Sequence, residues 1–203
     1  MSLDRYIAGG LFALGLAALG GYALSQSAAV AQDTTDGPGP NLVIEVAGST
    51  TGTIVIDMAA DVAPGHVAQI TALAKEGAYD GIVFHRVIDG FMAQTGDVEF
   101  GKTGGDTAQA GMGGSALPDL AAEFSSLPFD RGVVGMARSM DPNSANSQFF
   151  IMFAPAPHLD GQYTVVGKVI SGMEVVDAIK KGDQAMNGSV DTPDYMAKVT
   201  VAE

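Results

Sequence analysis

The sequence predicts an all-β domain, mainly antiparallel, closed into a barrel with two α-helices capping its ends. Three observations point there. Short apolar or alternating stretches recur between turn signals. The chain holds 27 glycines in 203 residues, which suits many tight turns. No strand–helix–strand alternation runs along it, and this disfavours a parallel α/β sheet. With 47% hydrophobic residues the chain can build a core, and its length fits one domain with a short extension.

Residues 1–31 are expected to lie outside that domain. Arg5 and the terminal amine supply positive charge, partly offset by Asp4, and the apolar run IAGGLFALGLAALGGYAL follows. Ala29-Val30-Ala31 then fits the small-x-small pattern that precedes a cleavage point. The expectation is a cleaved secretory signal over 1–31, with the mature protein in the periplasm of a bacterial-type envelope. The run is just long enough to span a bilayer, so the alternative is an uncleaved helix anchoring the protein to the inner membrane. Its glycines weaken a spanning helix and favour cleavage. Residues 32–40, QDTTDGPGP, read as a polar Pro/Gly-rich linker, and the barrel is expected over 41–203.

Within the barrel, NLVIEVAG and GTIVIDM alternate around the turn STTG and read as a hairpin. In APGHVAQITALAKEGAYDG, Pro64 suits a first helical turn. Val67, Ile70, Leu73 and Ala74 recur at helical spacing, and Gly77 suits a C-terminal cap. FHRVIDGFMAQTGD (84–97) reads as two short strands joined at Asp89-Gly90. Residues 98–128 are rich in Gly, Ala, Asp and Ser without sustained periodicity, which predicts a long loop of the kind that is often functional. RGVVGMAR (131–138), SQFFIMF (147–153) and YTVVGKVI (163–170) are three further strands. GMEVVDAIKKG (172–182) is a second helix with Val175, Val176 and Ile179 on one face, and AKVTVAE is a last strand. The total is about seven or eight strands and two helices, as a closed antiparallel barrel requires.

Composition excludes several functions. A net charge of -13 argues against nucleic acid, whose phosphates need clustered Lys and Arg. It also argues against docking on anionic lipid, so a membrane enters only through an uncleaved N-terminal segment. The absence of cysteine removes thiol catalysis, disulfides and Cys-ligated zinc. Three histidines (His66, His85 and His158) leave little for a His-based metal site, and neither metal nor cofactor is expected. No G-x-S-x-G elbow accompanies the serines. The acids scatter over turns and helix faces as solvated surface rather than as a catalytic carboxylate pair. GKTGGD (101–106) and GMGG (111–114) lack P-loop spacing and read as structural loop.

Arg86 remains, among Phe84, Val87 and Ile88 and with no acid beside it. Alternation puts Phe84, Arg86 and Ile88 on one face. Beyond the turn Met92 and Gln94 share a face, Phe91 lines the bend, and Gln148 and Phe150 share a face of their own strand. These residues make an apolar wall with two amides and one guanidinium. Two readings stay open on the residues alone: a strand-edge arginine with a snorkelling stem, or a guanidinium serving a reaction that needs no acid, base or nucleophile.

The segments FHRVIDGFMAQTGD, GVVGMAR, NSQFFIMF, HLDGQYTVVGKV and GMEVVDAI, in this order, resemble the cyclophilins, peptidyl-prolyl cis–trans isomerases. The likeness runs from about residue 41 to 203. It implies an eight-stranded antiparallel barrel closed by two helices. It also implies an enzyme that acts without a cofactor on X-Pro bonds; a monomer is the default expectation. Its partners would be proline-containing unfolded or flexible polypeptide segments, newly exported chains among them. By this resemblance Arg86 matches the catalytic arginine, and Phe91, Met92, Phe150 and Leu159 match the walls around the proline ring. Gln94 matches a glutamine that holds the arginine and a substrate carbonyl. Ala137 and Gln148 match substrate-contacting positions. Arg138 stands where the family commonly has asparagine, with the contact made largely by main chain. Tyr163 stands where many members have histidine, and keeps an aromatic wall with a polar tip. His85 and Asp97 belong to the signature as structural residues, and Gly111 to Gly114 resemble a glycine loop beside the groove. His158 replaces a tryptophan that contacts cyclosporin in many eukaryotic members, which implies weakened drug sensitivity. RSMDPNSANSQ (138–148) is about one residue longer than the common pattern, so Ser139 and Met140 receive no role. A non-catalytic peptide-binding or chaperone module on the same fold is the alternative. The substitutions at Arg138, His158 and Tyr163 speak for it, whereas Arg86, Phe91, Met92, Gln94 and Phe150 speak for the enzyme.

Overall fold

Residues 33–202, the part of the chain described by the computed structural model, form nine strands, two α-helices and two single-turn 3-10 helices. The expected signal or anchor over 1–31 lies outside the described residues. Residues 33–40 carry no regular structure but are tied down. Lys168 pairs with Asp33 at 2.6 Å, the Gly37 N–H donates to Asp57, and the Met58 N–H donates to the Pro40 carbonyl.

The strands are β1 (Asn41–Ala47), β2 (Gly52–Met58), β3 (Ile82–Val83), β4 (Arg86–Ile88), β5 (Met92–Thr95), β6 (Val133–Met136), β7 (Phe149–Met152), β8 (Val165–Ser171) and β9 (Tyr195–Ala202). They form one antiparallel sheet in the order β3-β9-β1-β2-β8-β6-β7-β5-β4. Its two end strands, β3 and β4, follow each other in the chain with only Phe84 and His85 between them. The sheet therefore rolls up on itself, as the sequence led one to expect. The strand beyond the expected eight is β3. Two residues carry no periodicity, so only pairing with β9 reveals it.

Beside β3 one expectation of alternation fails. Phe84 is fully buried in the main core and does not share the face of Arg86. Pairing switches here from β9 to β5, and the Phe84 N–H donates to the Asp194 carbonyl. The break in the strand resets which way the side chains point.

Helix α1 (Pro64–Lys75) lies against β9 and sends Val67, Ile70, Leu73 and Ala74 into the core. It ends as the glycine predicted: Gly77 has φ +72°, the Gly77 N–H donates to Ala74 and the Ala78 N–H to Leu73. Its N-terminus has no local cap. Glu123, from the long loop, accepts instead from the N–H groups of Gly65 and His66 and from Nδ1 of the buried His66 ring (2.6 Å). Burial raises the Glu123 pKa, but these donors outweigh it and hold the carboxyl below its ordinary range. Helix α2 (Met173–Ala178) packs on β2 through Met173 and Val176.

The sheet is apolar on both faces along part of its width. Ala93, Val134, Phe149, Ile151 and Val166 join the main core together with the helices. Their alternates Met92, Phe150, Met152 and Val165 form a second apolar cluster with Phe129, Ala156 and Leu159. That double burial explains why β7 reads as an unbroken apolar run. The second cluster is the ground on which the candidate site stands.

Candidate active site

The β4–β5 hairpin turns at Asp89-Gly90, where Gly90 has φ +70° and the Phe91 N–H donates to the Ile88 carbonyl. This register sets Arg86 opposite Gln94 and Ile88 opposite Met92. The row continues sideways, with Gln94 opposite Phe150 on β7 and Phe150 opposite Gly135 on β6.

Arg86 is half-buried and held at three points. Nη1 donates to Gln94 Oε1, Nε to the Asn187 carbonyl and Nη2 to Asn187 Oδ1, each at 3.1 Å. Of the five N–H groups of a guanidinium, two remain for a ligand. Burial pulls its pKa down and the nearby Tyr163 acts against that, but a guanidinium stays charged throughout. Among the described residues no carboxylate lies within 4.0 Å of it. Behind it, His85 is buried and its pKa is pushed down to about 4, first by burial and with Arg86 contributing, so the imidazole is neutral at pH 7.

The amides form a relay. Gln94 Nε2 donates to Gln148 Oε1 (2.9 Å), and Gln148 Nε2 donates to the Gly113 carbonyl (2.7 Å). The fully buried Asp97 fixes that end, accepting from the N–H groups of Glu99, Phe100, Gly111 and Gly113. The long loop is thus stapled by side chains rather than by a ladder. Asn146 and Asn143 hold its next turn by accepting from Ser115 and Ala122.

The apolar wall lies beside the relay. Phe150 stacks on Phe129 (centroids 5.7 Å apart) and meets Tyr163 edge-on at 5.9 Å. A Cβ on Gly135 would stand 2.5 Å from the Phe129 ring and 2.6 Å from the Phe150 ring, so only glycine lets both rings cross the strand there. Met92 and Leu159 are buried in this cluster, while Phe91, Ala137 and Tyr163 pack at its margin. Phe91 stacks on the exposed His158 at 5.8 Å. The Ala137 N–H donates to the Gln148 carbonyl. The Arg138 guanidinium lies 4.3 Å from the Tyr163 ring centroid and donates to the carbonyls of Ser139 and Gln162.

The ten residues singled out from the sequence are contiguous here, with Met92, Phe150 and Leu159 buried in the group. Gln94, Ala137, Arg138 and Gln148 also line a small pocket of about 180 Å³ with Met112, Gly113 and Ser139. A larger cavity of about 630 Å³, between Gly48, Lys180 and Tyr195, contains none of them. It also lacks an uncommitted charged group, since Lys180 Nζ is taken up by Asp191 and Thr192. The chemistry-bearing side chains therefore point to the smaller site.

Three contributors escaped the sequence reading. Phe129 closes the long loop after Pro128, and Gly135 sits inside a strand. Asn187 has φ +53° and precedes Gly188 at φ +80°. An Asn-Gly pair is a turn signal, but nothing local ties such a turn to Arg86. The backbone does so: Gly182 N–H to Val87 carbonyl and Val87 N–H to Gly188 carbonyl lay this segment along β4.

Residues 42–201 match the family model described as cyclophilin type peptidyl-prolyl cis-trans isomerase/CLD. A probable peptidyl-prolyl cis-trans isomerase of Brucella suis is 62% identical over 152 residues, covering 74% of this chain and 78% of that protein. The rat peptidyl-prolyl cis-trans isomerase-like 3 is 41% identical over 130 residues, 64% of this chain and 77% of the relative. Among solved structures, a cyclophilin from Hirschia baltica superposes with a TM-score of 0.66 at 26% identity, covering 81% of this chain and 74% of the other. A cyclophilin type isomerase from Cryptosporidium parvum, solved in the presence of the dipeptide Ala-Pro, gives 0.67 at 25% identity, covering 80% and 99%.

Proposed function

The chain belongs to the cyclophilin family and is a peptidyl-prolyl cis–trans isomerase, and from that premise we propose that Arg86 stabilises the twisted X-Pro bond while the Phe91–Met92–Phe150–Leu159–Tyr163 wall holds the proline ring. Resonance keeps the peptide bond planar behind a barrier of about 18–20 kcal/mol. Cis and trans before proline differ by only about 0.5–1 kcal/mol, so the slow step is rotation alone. In the twisted state the proline nitrogen loses conjugation and gains a lone pair. A donor aimed there binds the twisted form better than the planar one, which lowers the barrier. No proton is transferred and no bond is broken. A permanently charged donor with a fixed fork suits this better than an acid or a base.

The observation that carries the reading is the fixing of Arg86. Gln94 and Asn187 orient its fork by hydrogen bonds without neutralising it, and two of its five N–H groups are left for a ligand. The test is the cis-to-trans relaxation of a short X-Pro peptide with the protein and its Arg86→Ala and Arg86→Lys variants. Removing one preorganised donor typically costs about 100- to 1000-fold, and lysine, lacking the fork, recovers little of it. A folded Arg86→Ala protein that keeps most of its activity removes the arginine from the mechanism.

The substrates we propose are flexible proline-containing segments of unfolded or newly exported chains, met by a monomer in the periplasm. Ala29-Val30-Ala31 at the end of the apolar run supports export. Mass spectrometry of the mature protein decides it: a first residue of Gln32 means cleavage, and an intact Met1 or Ser2 means a membrane anchor.

A further inference from the structure

We propose that Arg138 makes this groove select X-Pro segments that carry a carboxylate side chain next to the proline. The proposal rests on the isomerase site proposed above. Its basis is a local reversal of charge. The chain carries a net charge of -13, yet the charged members of the ten-residue site, Arg86 and Arg138, are both cationic. Among the described residues neither has a carboxylate within 4.0 Å, whereas Arg131, Lys168 and Lys198 are each paired with an aspartate.

Arg138 is also built into the groove rather than left on a free stem. Its guanidinium lies against Tyr163 at 4.3 Å, and two of its donors are fixed on the carbonyls of Ser139 and Gln162. Carbonyls orient a guanidinium without cancelling its charge. On one side of it is the apolar wall through Tyr163 and Phe150. On the other is the small pocket shared with Gln94, Gly113, Ser139 and Gln148. A segment whose proline ring rests on Phe150 and whose backbone reaches Ala137 and Gln148 passes Arg138 with a neighbouring side chain.

Distance decides between this local charge and the acidic remainder. At physiological salt the screening length is about 8 Å, so acids on other faces fade while a contact pair does not. Asp141, the nearest acid in sequence, and Asp160, two positions before the Gln162 that Arg138 bonds, accept from the N–H groups of Asn143 and Phe129 and stand beyond ion-pair reach of Arg138. A half-exposed pair of this kind contributes up to about 1 kcal/mol, about five-fold in kcat/KM.

The experiment uses X-Pro peptides with Gln, Glu or Lys at each position flanking the proline, at fixed salt. Wild type, Arg138→Gln, Arg138→Lys and Arg138→Glu are compared. At one flanking position, wild type is expected to turn over the Glu peptide about three- to five-fold better than Gln, and Lys correspondingly worse. The Glu-to-Lys ratio persists in Arg138→Lys, falls to about one in Arg138→Gln and inverts in Arg138→Glu. Loss of stacking or of fold scales all three peptides together and cannot invert that ratio. Equal turnover of Glu and Lys peptides by wild type overturns the proposal, as does a ratio untouched by Arg138→Gln. If wild type fails on the Gln peptide, the isomerase-site reading itself falls and takes this proposal with it.

Discussion

Asn187 holds Arg86 by its carbonyl and by its side chain, each at 3.1 Å, so replacing it tests whether the orientation of the guanidinium matters as well as its presence. Asn187→Gly is the cleaner change. Glycine accepts the left-handed φ of +53° without strain and keeps the carbonyl contact, so only Oδ1 is lost. A hydrogen bond from a charged donor is worth roughly 1.5–3 kcal/mol. Asn187 is exposed and Arg86 only half-buried, so water replaces part of that and about 1 kcal/mol remains. If the lost bond serves the twisted state, kcat/KM for an X-Pro peptide falls about five-fold, while the melting temperature hardly moves. Asn187→Ala removes the same oxygen and adds a left-handed penalty of about 1–2 kcal/mol, so it lowers both activity and melting temperature. The assay is peptide exchange followed by NMR line shapes, with thermal melts alongside. If Asn187→Gly keeps kcat/KM within a factor of about two while Arg86→Ala is inactive, the fork does not depend on Asn187 and the positioning argument is wrong.

Three further outcomes are expected. His85 sits at about 4 in the folded protein against an ordinary 6.5, so the unfolded chain binds its proton first. The resulting stability, about 3 kcal/mol, is complete above pH 6.5 and is lost as the pH falls through 4; melts of wild type against His85→Gln should show a shallower acid slope in the variant, and parallel slopes would refute it. Gly135→Ala drives a methyl group into Phe129 and Phe150. Overpacking of this kind costs about 1–3 kcal/mol and tilts the wall, so KM should rise along with the loss in melting temperature; an unchanged KM would separate Phe150 from the binding surface. His158→Trp gives the chain its only tryptophan and extends the surface stacked on Phe91. Calorimetric titration should then show tighter cyclosporin binding than wild type, and equal affinity would mean that His158 is not what limits the drug.

Much of this protein was legible as sequence because the features concerned are recorded locally. The hairpin alternation of residues 41–58, the helical spacing from Val67 to Ala74 and the left-handed Gly77 each express burial or backbone conformation within a few residues. The string from Phe84 to Asp97 with the Ser147–Ile151 run marked the face that carries Arg86, Gln94, Gln148 and Phe150. The strand break at Phe84 and His85 was not visible, because alternation holds only while pairing continues, and the partner changes there from β9 to β5.

What the sequence by itself determined is the class of the fold and the chemical kind of its candidate site: an antiparallel barrel with an arginine on an apolar face and no acid beside it in the strand. Tertiary structure alone decided what holds that arginine and that barrel in place. Asn187 reaches Arg86 across 101 positions of chain, and Glu123 caps α1 across 57. Each could have met water or another donor equally well as far as local preference goes. Spacing along the chain fixes which way a side chain faces, whereas a hydrogen bond needs its two ends brought together, and only the closing of the sheet does that.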